Sequence, residues 1–156
     1  MNAAEIYVRD WMSSEVKTIR EDTLVADAYN TMMKFAFRRL PVVDSDRLVG
    51  IVSLGDLREA RPSPRVGVSL YELNYVLSKL TVGEIMTYQP FTVKPDTHIQ
   101  DAARIMLDRK VGGLPVLNDY GELVGIITES DIFRMLMDQW DYSTVQRVEP
   151  GLVSRS

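Results

Sequence analysis

The residues best placed for chemistry come in two matching sets. Leu123 to Asp131 reads L-V-G-I-I-T-E-S-D, and Leu48 to Asp56 reads L-V-G-I-V-S-L-G-D. Each set is an apolar, strand-like run, then a hydroxyl residue (Thr128 or Ser53), then an aspartate three positions on (Asp131 or Asp56). Two roles are open to such a set. A hydroxyl at the N-cap with an acid at N3 satisfies orphan amides of a helix's first turn. A helix start also attracts phosphate, and a nearby carboxylate accepts the hydroxyls of a ribose. A single copy favours capping; two copies in equivalent places of a repeat favour the ligand role.

Basic residues sharpen that reading. Arg38 and Arg39 directly precede Leu40-Pro41-Val42, the strand expected to pair with the one ending at Ser53. Their planar guanidinium forks suit phosphate oxygens and are expected to reach the helix start at Ser53 to Asp56. The matching positions of the second copy are Gly112 and Gly113, which carry no charge and let a ligand ring approach the backbone. Two unequal clefts follow, with the arginine charge expected beside Ser53 and Asp56. Arg109 and Lys110 lie nearby at shifted positions.

Enzymatic constellations are absent from the sequence. His98 is the single histidine and reads as a solvated residue near a helix start, since metal sites gather several donors. No Walker lysine follows a glycine-rich loop, and neither G-x-S-x-G nor H-E-x-x-H occurs. Without a nucleophile–base set, the chain reads as non-catalytic.

The elements that must position these residues belong to an internal repeat. Val8, Met12, Thr18, Asp22, Asp27 and Met32 recur as Val82, Met86, Thr92, Asp96, Asp101 and Met106, an offset of 74 (82 − 8, 106 − 32). Leu40-Pro41-Val42 recurs at that offset as Leu114-Pro115-Val116. After one inserted residue near Asp119-Tyr120-Gly121, Leu48-Val49-Gly50-Ile51 recurs as Leu123-Val124-Gly125-Ile126. Each copy reads β-α-β-β-α after a short helical lead-in, an α/β (α+β) class. The spacing predicts a strand at Pro90 to Val93 and capping boxes at Thr81/Glu84 and Thr97/Gln100. The divisions are repeat 1 over 6–62, a helical linker over 63–79, repeat 2 over 80–140 and a polar tail over 141–156. The linker helix is expected to open on a Ser69/Glu72 capping box after Arg61-Pro62-Ser63-Pro64 ends a helix. It carries Leu70, Leu73, Val76 and Leu77, too apolar to hang free in water.

Composition agrees with a globular module. The 156 residues are 46% hydrophobic and 26% charged, with a formal charge of −4, which disfavours a general nucleic-acid surface. Cysteine is absent, which fits a reducing cytoplasm and excludes disulfides and thiolate metal sites. No apolar run reaches membrane-spanning length.

The duplicated pattern resembles the CBS domain family, named from cystathionine beta-synthase. The resemblance rests on the V-R-D-W-M and V-G-E-I-M leads, the R-R-L-P-V-V and G-G-L-P-V-L strands, and the G-I-V-S-L-G-D and G-I-I-T-E-S-D endings. The apolar linker resembles that of stand-alone bacterial pairs related to acetoin-utilisation regulators. The resemblance implies two repeats packed sheet to sheet as one pseudo-two-fold module with two clefts, and frequently a homodimer. It also implies no obligatory cofactor but an adenosine-type regulatory ligand, AMP, ADP or ATP, with S-adenosylmethionine as an alternative. A purely structural dimerisation domain with empty clefts is the rival from another class. By this resemblance Asp56 and Asp131 would bind ribose, Ser53 and Thr128 would face phosphate, Arg38 and Arg39 would contact phosphate, and Ile19 and Val93 would line the adenine pocket. A regulated protein partner would read the ligand's presence.

Overall fold

The computed structural model describes residues 5–60, 67 and 69–140. The expected helix end at Arg61 to Pro64, the tail from Ser143 and the side chains of Leu70 and Leu73 lie outside the described residues.

Each repeat builds its helices and strands from local pattern. In repeat 1, α1 (Val8–Trp11), β1 (Ile19–Arg20), α2 (Val25–Phe35), β2 (Arg39–Asp44), β3 (Arg47–Ser53) and α3 (Leu54–Glu59) follow in order. The linker forms α4 (Leu70–Lys79). Repeat 2 continues with α5 (Val82–Ile85), β4 (Thr87–Tyr88), α6 (Ile99–Arg109), β5 (Gly113–Leu117), β6 (Leu123–Thr128) and α7 (Glu129–Gln139). On α2 the buried Ala28 and Met32 lie one turn apart beside the partly buried Val25 and Tyr29, a single apolar face toward the sheet. Ala102 and Met106 repeat this on α6. The linker helix opens on the expected box: Ser69 Oγ accepts from the Glu72 amide, and the Glu72 carboxylate accepts from the Ser69 amide, both at 3.2 Å.

The lead-in of each repeat packs on the other repeat. One core gathers Ile19, Ala28, Met32, Leu40, Val42, Val52 and Leu57 of repeat 1 with Val82 of repeat 2. The other joins Ile6 and Val8 to Val93, Ile99, Ala102, Met106, Leu114, Val116, Ile127 and Met135. The sheets show the same exchange. Strand β1 runs parallel to β2, β2 antiparallel to β3, and β4 of repeat 2 completes that sheet through Ile51↔Thr87 and Gly50↔Tyr88. In the other half β5 pairs with β6, Val93 bridges Val116 in parallel, and Ser13 of repeat 1 bridges Ile126 with both amide bonds at 3.0 Å.

Gly50 and Gly125 permit that exchange. A Cβ at Gly50 would sit 2.5 Å from Met86 Sδ and 2.9 Å from the Thr87 carbonyl oxygen; at Gly125 it would sit 2.6 Å from Met12 Sδ and 2.9 Å from the Ser13 carbonyl oxygen. Only a strand residue without a side chain lets the incoming backbone approach so closely.

Two local expectations change. Pro90 to Val93 forms a single bridge at Val93 rather than a strand: Pro90 offers no N–H, and the chain turns at Gln89 (φ 49°) just before it. The Thr97/Gln100 box does not form, because Thr97 Oγ1 accepts the Lys94 amide at 3.0 Å and closes the preceding turn. His98 becomes the N-cap of α6, without a side-chain capping bond, and its ring stacks on Tyr7 at 4.9 Å.

Gly50→Ala and Gly125→Ala are each expected to destabilise the fold by about 1–3 kcal/mol, the usual cost of overpacking. Urea denaturation checks this; unchanged midpoints for both variants would contradict the packing described.

Candidate functional site

Two clefts lie between the repeats, each built from one repeat's β-strand end and the other repeat's lead. The first encloses about 420 Å³ and is lined by Thr128 and Asp131 together with Val16, Lys17, Arg38, Arg39 and Arg134. The second encloses about 460 Å³ and is lined by Ser53 and Asp56 with Tyr88, Pro90, Phe91, Lys110 and the glycine pair. Both volumes suit a small organic ligand.

The exchange reverses the expected charge distribution. Arg38 lines the Thr128/Asp131 cleft and not the Ser53/Asp56 cleft; Arg39 lines both. The β2–β3 pairing does hold Arg39 opposite Ser53, and the Leu54 amide donates to the Arg38 carbonyl at 2.8 Å. The strand end is nonetheless a shared wall, and the Arg38 side chain serves the face built with repeat 2. Lys17 and Arg134 add to the same cleft, so it holds four cations against the carboxylates of Glu15 and Asp131. The Ser53/Asp56 cleft holds Arg39 and Lys110. Lys110, at a position shifted from the arginine pair, is the second copy's contribution.

The glycines serve Arg39 as well. Position 113 is the repeat equivalent of 39, and the two positions face each other where the repeats meet. A Cβ at Gly113 would lie 2.8 Å from Arg39 Cδ, and one at Gly112 would overlap its Nη2. The guanidinium therefore runs across the glycine pair. The open backbone expected to receive a ligand ring is occupied by this side chain.

The two aspartates are held differently. At Asp56 the capping box is reciprocal: Ser53 Oγ accepts from the Asp56 amide at 3.1 Å, and Asp56 Oδ2 accepts from the Ser53 amide at 2.8 Å. Its Oδ1 has no hydrogen-bond partner among the described residues. Asp131 is 4% exposed, and both its oxygens are engaged. Oδ2 accepts from the Thr128 amide at 2.8 Å and its hydroxyl at 3.1 Å, while Oδ1 accepts from Arg134 Nη1 at 2.7 Å. Arg134 is the i+3 neighbour of Asp131 on α7, a spacing that brings side chains together on a helix; the equivalent in repeat 1 is Glu59.

The CBS domain pattern matches this chain twice, over residues 8–63 and 82–138. The chain belongs to the CBS domain family. A CBS domain-containing protein of Dictyostelium discoideum is 35% identical over 134 residues, 85% of this chain and 92% of that one. Other curated relatives are longer; the chain spans 50% of a Methanocaldococcus jannaschii protein that is 32% identical. Among solved structures, the CBSX2 complex with AMP superposes with a TM-score of 0.71 at 31% identity, covering 86% of this chain and 98% of that one. The CBS domain pair of protein MJ0100, in complex with 5'-methylthioadenosine and S-adenosyl-L-methionine, superposes with a TM-score of 0.72 at 28% identity, covering 86% and 98%.

Within this CBS pair, Ile19 and Val93 depart from the role that the resemblance implied. They lie in the two cores, 9% and 6% exposed, where their backbones pair with Val42 and Val116, and they line neither cleft. The cleft walls are formed three residues earlier, by Val16 and its equivalent Pro90. Lys17, Phe91, Tyr88, Lys110 and Arg134 also line the clefts without having been marked as ligand residues. Two of these carried a signal: Arg134 through its spacing from Asp131, and Lys110 through its place near the position of the arginine pair. Among the described residues no group of three or more His, Cys, Asp or Glu could hold a metal ion, and no helix is long and apolar enough to cross a membrane.

Asp131→Asn is expected to cost about 1.5–3 kcal/mol of stability, the scale of a hydrogen bond to a charged group, because one side of an asparagine amide must face either Arg134 or the Thr128 amide as a donor against a donor. Asp56→Asn is expected to cost less than about 1 kcal/mol, since the amide can turn its oxygen to the Ser53 amide. Thermal denaturation of both variants without added ligand checks this difference. Equal losses would contradict it.

Proposed function

We propose that this CBS pair is a non-catalytic regulatory module that binds adenosine-type ligands, AMP, ADP or ATP, in its two clefts. The observation that carries this reading is the Thr128/Asp131 cleft, where a carboxylate suited to ribose hydroxyls shares one wall with Lys17, Arg38, Arg39 and Arg134. A neutral or cationic ligand would leave the excess of four cations over the Glu15 and Asp131 carboxylates uncompensated; an adenosine phosphate supplies the complementary anion at the start of an 11-residue helix, α7. The AMP complex of CBSX2 supports the ligand class. On binding, Arg134 would leave Asp131 Oδ1 for phosphate and free that oxygen for ribose.

The Ser53/Asp56 cleft favours a second reading for itself. It holds only two cations, and Tyr88, Pro90 and Phe91 offer apolar wall, with Phe91 capped by the Arg109 guanidinium at 4.9 Å from the ring centroid. This suits an adenosine compound with little or no phosphate, such as S-adenosylmethionine. The MJ0100 complex supports that choice.

Ligand binding would regulate by differential affinity: a nucleotide spanning the seam between the repeats favours one arrangement of them, and a partner protein reads that arrangement. A homodimer fits the same reading. On α4, Tyr71 is 81% and Val76 61% exposed, and the equivalent positions Met33 on α2 and Leu107 on α6 are 47% and 79% exposed. Such apolar residues are suited to an interface.

Calorimetric titration tests the ligand reading. Affinity at one site is expected to rise from adenosine to AMP to ATP and to fall about tenfold or more in Asp131→Asn, while the second site changes little with phosphate number. Two sites both indifferent to phosphate would contradict the charge argument, and absence of binding by all three compounds would favour the purely structural role. Analytical ultracentrifugation at micromolar concentration is expected to give twice the 17.7 kDa chain mass; a single species at 17.7 kDa would exclude the dimer.

A further inference from the structure

We infer that Arg39 is shared by the two clefts and makes them compete for phosphorylated ligands. The inference rests on the adenosine-ligand reading above and adds a coupling between the sites. Among the described residues, Arg39 is the one basic residue that lines both clefts. Its backbone is fixed opposite Ser53 by the β2–β3 ladder, so only the side chain can move. Its guanidinium crosses Gly113 and Gly112, where a Cβ at either residue would collide with it. It makes no hydrogen bond or ion pair among the described residues. Five N–H donors thus stand at the seam without a fixed partner, within reach of both clefts.

One guanidinium carries a single positive charge, so two anions held on opposite sides of the seam must divide it, and the fork that turns fully to one turns away from the other. A phosphate in the Thr128/Asp131 cleft draws Arg39 to that side and leaves the other cleft with Lys110 alone. A phosphate in the Ser53/Asp56 cleft draws it the other way and leaves Lys17, Arg38 and Arg134 behind. The second phosphate also meets the charge of the first across the seam that Arg39 spans. Each arrangement lowers the affinity of the other cleft for phosphate, and by linkage the effect is reciprocal. A ligand without phosphate makes no demand on Arg39. The module would therefore hold one phosphorylated and one phosphate-free adenosine compound more readily than two nucleotides.

The test is calorimetric titration of the full chain with AMP and with adenosine, in wild type and with one cleft weakened by Asp56→Asn or Asp131→Asn. These variants separate each cleft's own affinity from its affinity when the other is filled. AMP in one cleft is expected to weaken AMP at the other by about tenfold, the scale of one charge-assisted contact, and adenosine to give no such ratio. Arg39→Gln is expected to bring the AMP ratio to one while adenosine still binds both clefts. If Arg39→Gln does not fold, Arg39→Lys serves, with an expected reduced ratio because a single ammonium lacks the fork that reaches across the seam. Independent AMP sites in wild type, or a ratio unchanged by the Arg39 variants, would overturn the sharing and leave the nucleotide reading intact. Failure of both AMP and adenosine to bind would overturn both.

Discussion

The close approach of Met86 to Gly50 and of Met12 to Gly125 ties the two repeats together, and the clefts exist because of it. Each thioether lies where a side chain would otherwise stand on the β3 or β6 backbone, and each is followed directly by a residue that pairs with the neighbouring repeat's strand. A repeat alone would leave a sheet edge unpaired and a core open beside Val52 or Ile127. Exchanging lead-ins closes both at once. The segments just beyond the exchanged leads, Ser13 to Lys17 and Thr87 to Phe91, then become cleft walls facing the other repeat's helix start. Stability and binding geometry therefore share the same contacts.

The meeting of the two halves imposes a second constraint. Positions related by the repeat come face to face at its pseudo-two-fold axis, and positions 39 and 113 are such a pair. Two arginines there would compete for one volume and repel each other. Arginine on one side and glycine on the other resolves both problems and breaks the symmetry of charge. The same breaking continues on the last helix, where Arg134 pairs with Asp131 while its equivalent, Glu59, cannot do so with Asp56. Four cations and a doubly engaged aspartate on one side, two cations and a half-engaged aspartate on the other, are the outcome.

The sequence showed what is local. The hydroxyl–aspartate boxes at Ser53 and Thr128, the capped linker helix, the apolar faces of α2 and α6 and the repeat itself depend on residues within a turn or two of one another. It did not show which cleft each side chain enters, because pairing between repeats decides that. Arg38 adjoins Ser53 along the β2–β3 hairpin but opens onto the cleft of Thr128. Gly112 and Gly113 read as space for a ligand, and a side chain from 74 residues earlier (113 − 39) fills it. Ile19 and Val93 pair with Val42 and Val116 and are buried in the two cores, while Val16 and Pro90 take the walls. The glycines at 50 and 125 did carry a signal of close backbone approach inside a strand. What approaches them lies on the other repeat.

A crystal structure of the chain grown with AMP tests the central claim most directly, that charge and ribose-binding geometry converge in the cleft at α7. The account places the AMP phosphate against Arg38 and Arg39, the ribose hydroxyls on Asp131, and Arg134 turned from Asp131 Oδ1 toward the phosphate. AMP bound only in the Ser53/Asp56 cleft, or bound at α7 with its ribose away from Asp131 or its phosphate remote from Arg38 and Arg39, would contradict it.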